Sequence, residues 1–291
     1  MKTSIALLAA FTLTTTLFAQ EAKPLKVLLI TGGCCHDYGK QKDILKKGIE
    51  ERINAEVTQV HTDDGEIGAD GKPQMTKPKL PILGNPDYAK GFDVIIHDEC
   101  AADIKEVETV KGVLKPHMDG IPGVNLHCAM HSYRVGNPNQ KQTAGTPEAL
   151  WFDYLGLQSS GHGPQEPITI SYTAKESPIS KGLDNWTTMK EELYNNIQIT
   201  TGKELAKGAQ TVKRKKKEAD GTEVESSNTV EAVVAWTNLY QGKTRVFSTT
   251  IGHNNATVED ARYLDLVTRG LLWATGKLGE DGTVAAGYSK K

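Results

Sequence analysis

The chain has 291 residues, with 34 Lys and Arg against 36 Asp and Glu for a formal charge of -2, and 38% apolar and 24% charged residues. That length suits one large domain or two small ones, and the composition is that of a globular protein with a sizeable core. The near-balanced charge argues against a nucleic acid or an acidic membrane surface as partner, and four cysteines in such a length argue against a disulfide scaffold.

The N-terminus reads as a secretory signal. Lys2 supplies the positive charge, "IALLAAFTLTTTLF" is an apolar stretch too short to span a bilayer, and small Ala19 offers a cleavage point. Residues 1–19 are therefore set apart from the fold, and a periplasmic or extracellular location is expected. No later segment is long and apolar enough for a membrane span, so no integral membrane association is expected.

"LKVLLI" (residues 25–30) is a continuous apolar run ending in Gly32-Gly33, as suits a strand buried on both faces. Ile44, Leu45, Ile49 and Ile53 recur at helical spacing, and "AEVTQVH" (55–61) reads as a second strand, giving a β-α-β opening. Periodicity then disappears through a Gly- and Pro-rich stretch, residues 62–92, read as a lid or an insertion. "FDVIIH" (92–97) is the third strand. Asp103 is placed to cap a helix carrying Ile104, Val107, Val110 and Leu114, with Glu106 three residues on. "GVNLH" (123–127) is the fourth strand, and Thr146-Pro147-Glu148 opens a helix closed by Gly156.

The second half changes character. "PITISYT" (167–173), "AQTVKRKKK" (209–217), a turn in "EADGTE" (218–223), "EAVVAWTNLY" (231–240), the turn "QGKT" and "RVFSTTIG" (245–252) carry hairpin signals. The basic run Lys213–Lys217 reads as a solvated edge on a hairpin arm. Thr257 is placed to cap a last helix through Leu272. The fold class is α/β: a mostly parallel sheet flanked by helices and extended by antiparallel strands. Residues 25–278 form one domain and 279–291 a C-terminal tail.

Open α/β sheets bind ligands outside the carboxyl ends of their strands. After the first strand stand Cys34, Cys35, His36 and Asp37. The third ends in His97, Asp98, Glu99 and Cys100, and the fourth is followed by His127, Cys128, His131 and Arg134. His162 in "SGHGPQEP" and His253 in "TIGHNN" follow in glycine-containing turns. A flavodoxin-like strand order, 2-1-3-4-5, would bring the ends of strands one, three and four together. Neutral imidazoles and carboxylates so gathered can bind a divalent metal or act as acid and base near neutral pH.

Specific templates mostly fail. "TGGCCHDYG" matches neither nucleotide-binding glycine pattern, "CC" is not C-x-x-C, and H-C-A-M-H lacks the Glu of a zincin motif. Cys128 does not fit a nucleophile elbow, because Leu126 and Met130 are too bulky at the flanking positions.

"VLLITGGCCHD", "FDVIIHDE", "GVNLHCAMHSYR", "GHGPQEPI", "EELYNNI", "VAWTNLYQGKTRVFSTTIGHN" and "RGLLWATGKL" together resemble the ThuA-like family, linked to trehalose utilisation. The resemblance implies a fold similar to class I glutamine amidotransferases, with a flavodoxin-like core. The family's recurring segments fall here at Leu126-His127, Gly161-His162, Glu191–Tyr194 and Gly252-His253. The chain departs from the family at Cys128, where alanine is usual, and at Ile121-Pro122-Gly123, so amidotransferase chemistry does not transfer. What the resemblance implies is carbohydrate metabolism, with a small-molecule carbohydrate as partner.

The resulting expectation is an exported hydrolase, lyase or isomerase acting on a disaccharide or keto-sugar. His127, His253 and Glu192 are its catalytic candidates, and His36, Asp37, His131, Arg134 and His162 its substrate-binding candidates. A non-catalytic carbohydrate-binding protein and a metal-binding structural domain are the alternatives. His36, His127 and His253 should line one cleft.

Overall fold

The computed structural model describes residues 22–217 and 223–290. Residues 1–19, read from the sequence as a secretory signal, and most of the turn in residues 218–223 lie outside the described residues. The first strand, β1 (Leu25–Gly33), leads into helix α1 (Tyr38–Arg52) and strand β2 (Ala55–Thr62). Strand β5 (Val94–Cys100), helix α2 (Val107–Met118) and strand β6 (Gly123–Leu126) continue the α/β pattern. Between β2 and β5, residues 62–92 are not a bare loop. They hold a small antiparallel pair, β3 (Gly65–Ile67) with β4 (Pro73–Pro78), and a turn that buries Leu80, Ile82 and Ala89. These three apolar residues lack any period and so escaped the sequence pattern.

After helix α3 (Leu150–Leu155) come four long strands, β7 (Leu157–Tyr172), β8 (Trp186–Ile199), β9 (Lys203–Lys217) and β10 (Glu223–Tyr240), then β11 (Thr244–Thr249). The short helix α4 (Asn255–Val258) and helix α5 (Ala261–Ala274) close the core. All but β3 and β4 join one nine-stranded sheet in the order β2-β1-β5-β6-β11-β10-β9-β7-β8. The first five strands are parallel neighbours, in the flavodoxin-like order expected. The remaining pairings are antiparallel. β11 is antiparallel to β10 yet parallel to β6, so it is both a hairpin arm and the fifth parallel strand.

Alternation along β1 explains its unbroken apolar run. Val27 and Leu29 pack with Leu45 and Ile49 of α1 and Val267 and Leu271 of α5. Leu28 and Ile30 pack with Val110 and Leu114 of α2 and Trp151 and Tyr154 of α3. Both faces are covered, as parallel sheets require.

Four local expectations need correction. β8 carries no clean alternation and gives no strand signal in the sequence. The second helix begins at Val107 rather than after Asp103, whose backbone N–H donates to Thr76 at 3.0 Å. The last helix is capped by Asp260, which accepts from the Arg262 N–H, while Thr257 lies within α4. His162 is not in a turn but on β7, where bulges interrupt the register on either side of it. The segment after α5 folds back on the domain: Ser289 bridges to Ile53, and the Lys290 N–H donates to the Arg52 carbonyl.

Candidate active site

The turn after β1 is shaped by two glycines. Gly32 and Gly33 have φ of +131° and +106°, and a Cβ on Gly33 would stand 2.2 Å from the Cys100 carbonyl oxygen. No other residue fits there without displacing β5. The turn carries His36 over the strand ends, and Asp37 takes the N-cap position of α1 without a capping hydrogen bond from its side chain.

His127 follows β6 with φ +42°, a left-handed conformation rare outside glycine. Such strain is kept where surrounding structure enforces it, often at functional sites. The strained strand-to-helix position thus belongs to His127, not to Cys128. The His127 Nδ1 lies 2.6 Å from the Thr250 carbonyl oxygen. A carbonyl only accepts, so Nδ1 carries a proton and Nε2 is the nitrogen turned toward the cleft.

His253 follows β11 on a loop held from both sides. Glu191, fully buried on β8, accepts the backbone N–H groups of Gly252 at 3.3 Å, His253 at 2.9 Å and Asn254 at 3.1 Å. Gln41 of α1 donates its amide to the carbonyls of Gly252 and His253, at 3.2 and 3.1 Å. Neither residue was among the sequence candidates. Glu191 falls in the family segment Glu191–Tyr194, but no role of its own was assigned to it.

These three elements bring His36, His127 and His253 together. One ring nitrogen from each lies within 4.8 Å of the others, and the ring centroids are 4.5, 4.7 and 5.5 Å apart. His36 Nδ1, His127 Nε2 and His253 Nδ1 are all buried, and none makes a well-aligned hydrogen bond. Imidazole ligands on a tetrahedral zinc ion stand about 3.4 Å apart, given zinc–nitrogen bonds of about 2.1 Å. The three residues therefore fit a divalent cation, with the Thr250 carbonyl fixing the tautomer of His127. Burial, reinforced by His127 and His253, pushes the His36 pKa down to about 3, so this ring is neutral at physiological pH.

Glu192 is the hub of the cleft. Its carboxylate lies 3.6 Å from His127 Nε2, 3.5 Å from His162 Nε2 and 3.3 Å from His253 Nδ1. Burial raises its pKa, but the interactions with His127 and His253 outweigh that and hold it well below the usual carboxylate range. The same contact raises the pKa of His253. An open cavity of about 750 Å³ lies beside the cluster, lined by Cys35, His36, Asp37, Lys190, His253 and Asn254 among others.

The remaining candidates sit around this centre. Asp37 is on the rim, accepting from Asn255 at 2.9 Å and pairing with Lys40 at 3.2 Å. His162 is half-exposed at the cleft edge. His131 and Arg134 stand behind the site. His131 stacks on Tyr194 with centroids 4.2 Å apart and bonds Ser159 Oγ at 2.9 Å, and Arg134 donates to the Ser159 and Ser160 carbonyls. Burial drives the His131 pKa well below its ordinary value, keeping that ring neutral. The third strand end does not deliver His97 and Glu99 to the cleft. His97 bonds Glu99 at 2.7 Å and His117 at 3.0 Å, and Tyr133 donates to the same Glu99 oxygen at 2.7 Å, in a fully buried network.

Residues 26–274 match the model of the ThuA family, described as trehalose utilisation. The chain belongs to the ThuA family. Among solved structures it is similar to a ThuA-like protein from Parabacteroides merdae, at 20% identity and a TM-score of 0.58, covering 92% of this chain and 98% of that one. A ThuA-like protein from Bacteroides uniformis is similar at 15% identity and a TM-score of 0.56, covering 89% and 95%. No curated protein matches the sequence. Membership of the ThuA family ties the chain to carbohydrate metabolism, and among the described residues no helix is long and apolar enough to cross a membrane.

Proposed function

We propose that this ThuA-family chain is an exported enzyme that processes a disaccharide or keto-sugar in the histidine-lined cleft. The observation that carries the reading is the Glu192 carboxylate within 3.3–3.6 Å of three imidazoles, next to an open cavity. Glycoside hydrolysis of the usual kind needs two free carboxyl groups flanking the bond. Here Glu191 is committed to backbone N–H groups, and Asp37 lies on the rim. One carboxylate among imidazoles instead suits proton transfer at a carbon beside a carbonyl, the opening step of a lyase or isomerase acting on a keto-sugar.

In this reading Glu192 accepts the proton, and half-exposed His162 passes it to solvent. His36, His127 and His253 would hold a divalent cation, which would supply a Lewis acid for the substrate oxygen. A binding protein without chemistry would present an aromatic platform, and no Phe, Tyr or Trp is among the residues lining the cavity.

The test is a screen of the purified protein against disaccharides and their keto derivatives, with metal analysis. Glu192→Gln should lower turnover by about 100-fold or more while the protein stays folded, the usual contribution of an acid–base group. Turnover unaffected by Glu192→Gln would overturn the assignment. Export rests on the sequence of residues 1–19, and the mature protein is expected to begin near Gln20. Intact mass of secreted protein still starting at Met1 would remove that part.

A further inference from the structure

All four cysteines of the sequence meet at the strand ends, beside the imidazole cluster but on different side chains. Cys34 Sγ lies 3.3 Å from Cys100 Sγ, and Cys128 Sγ lies 2.8 Å from Cys100 Sγ. The sulfur atoms of Cys34, Cys35 and Cys100 are all within 4.8 Å of one another. Three separate strand ends supply them: the turn after β1, the last residue of β5 and the turn after β6.

A cysteine that only fills space is buried and inert. Cys128 and Cys100 fit that description, but Cys34 is half-buried and Cys35 is exposed. Cys35 also holds φ +85°, a left-handed backbone conformation uncommon for a residue with a side chain. That conformation directs two successive thiols toward one partner. The close approach of Gly33 to the Cys100 carbonyl fixes the turn against β5, so the thiols are brought together by the backbone.

We propose that Cys34, Cys35 and Cys100 form a thiolate site for a thiophilic cation, Zn(II) or Cu(I), separate from the imidazole site. Soft thiolates select these ions over Mg(II) and Ca(II). Zinc–sulfur bonds of about 2.3 Å place tetrahedral donors about 3.8 Å apart, within reach of the observed spacing by small side-chain rotations. Binding forms three metal–sulfur bonds and releases three thiol protons to solvent, with no change of oxidation state. Cys128, donating to Cys100 from the buried side, orients that donor. Exposed Cys35 leaves the remaining coordination position facing the cavity it lines.

The test uses the reduced full-length protein, with Cd(II) as the optical probe of a zinc-type site and competition against a Cu(I) chelator for the copper arm. Sulfur-to-cadmium charge transfer should saturate at one ion per chain. It should persist in His127→Ala, which weakens the imidazole site, and so it is read independently of the proposed activity. Cys100→Ser should abolish it. Cys35→Ser, a change at an exposed position that leaves the core intact, should lower its amplitude by about one-third, since one of three thiolates is lost. A folded, reduced protein with no such absorption, or full amplitude in Cys100→Ser, would overturn the proposal. So would isolation of the protein with a Cys34–Cys100 disulfide and no cation uptake after its reduction.

Discussion

Replacing Glu191 with alanine should destabilise the protein and loosen the cleft together. The side chain is fully buried, and its two oxygens accept three backbone N–H groups from Gly252, His253 and Asn254. Removing the acceptor leaves the Gly252 N–H buried and unpaired, at about 1–3 kcal/mol, and exchanges two charge-assisted bonds for partial solvation at about 1 kcal/mol each. The expected loss is about 3–5 kcal/mol. For a domain of this size that is a fall in Tm on the order of 10 °C. Glu191→Gln keeps one acceptor oxygen but turns an amide donor toward a backbone donor, so its loss should be intermediate. Denaturant unfolding with the metal absent gives the stability. Affinity of the imidazole site, by calorimetry with Zn(II), reads the cleft, since the loop carrying His253 is then held only from the Gln41 side. A loss below about 1 kcal/mol in Glu191→Ala, with unchanged Zn(II) affinity, would refute the reasoning, because it would mean that water satisfies all three N–H groups as well as the carboxylate does.

Gly33→Ala should cost about 3 kcal/mol or more, from strain at φ +106° and a Cβ 2.2 Å from the Cys100 carbonyl oxygen. Gly91→Ala, at φ +89° with open space around it, is the control and should cost about 1–2 kcal/mol by thermal or denaturant unfolding. In the metal-free protein His36 binds a proton only near pH 3 when folded, against 6.5 for the ordinary ring. The unfolded chain therefore takes up the proton first, and stability should fall as pH drops from about 6.5 toward 3, by up to about 1.4 kcal/mol per pH unit from this group. His36→Asn should flatten that limb, and an unchanged slope would count against the burial argument. Cation affinity should weaken on acidification beginning above pH 6.5, because Glu192 raises the pKa of His253 and protons compete for its ring. Cys128→Ala should retain activity within about tenfold, since the strained position belongs to His127; a loss above about a thousandfold in a folded variant would restore it as a nucleophile.

What the sequence determined by itself was local. The run at residues 25–30 dictates a strand buried on both faces, and the glycines after it dictate a tight turn, because each follows from side-chain burial and backbone sterics within a few residues. Histidines at successive strand ends predict one edge, since parallel strands joined by right-handed crossovers present their carboxyl ends together. The meeting of His36, His127 and His253 follows from that rule once β11 is parallel to β6, and this parallel pairing was invisible in a segment that also reads as a hairpin arm. β8 was hidden because both of its glutamates are buried, Glu191 against backbone N–H groups and Glu192 against imidazoles, so polarity along it does not report exposure. The same blindness applied to His97 and Glu99, which bond each other inside the core, and to His131 and Arg134, which brace β7 from behind. A titratable side chain looks the same in sequence whether it faces a ligand or a buried partner. Only the tertiary structure decides which, because the partner comes from another strand or helix, often more than a hundred residues away.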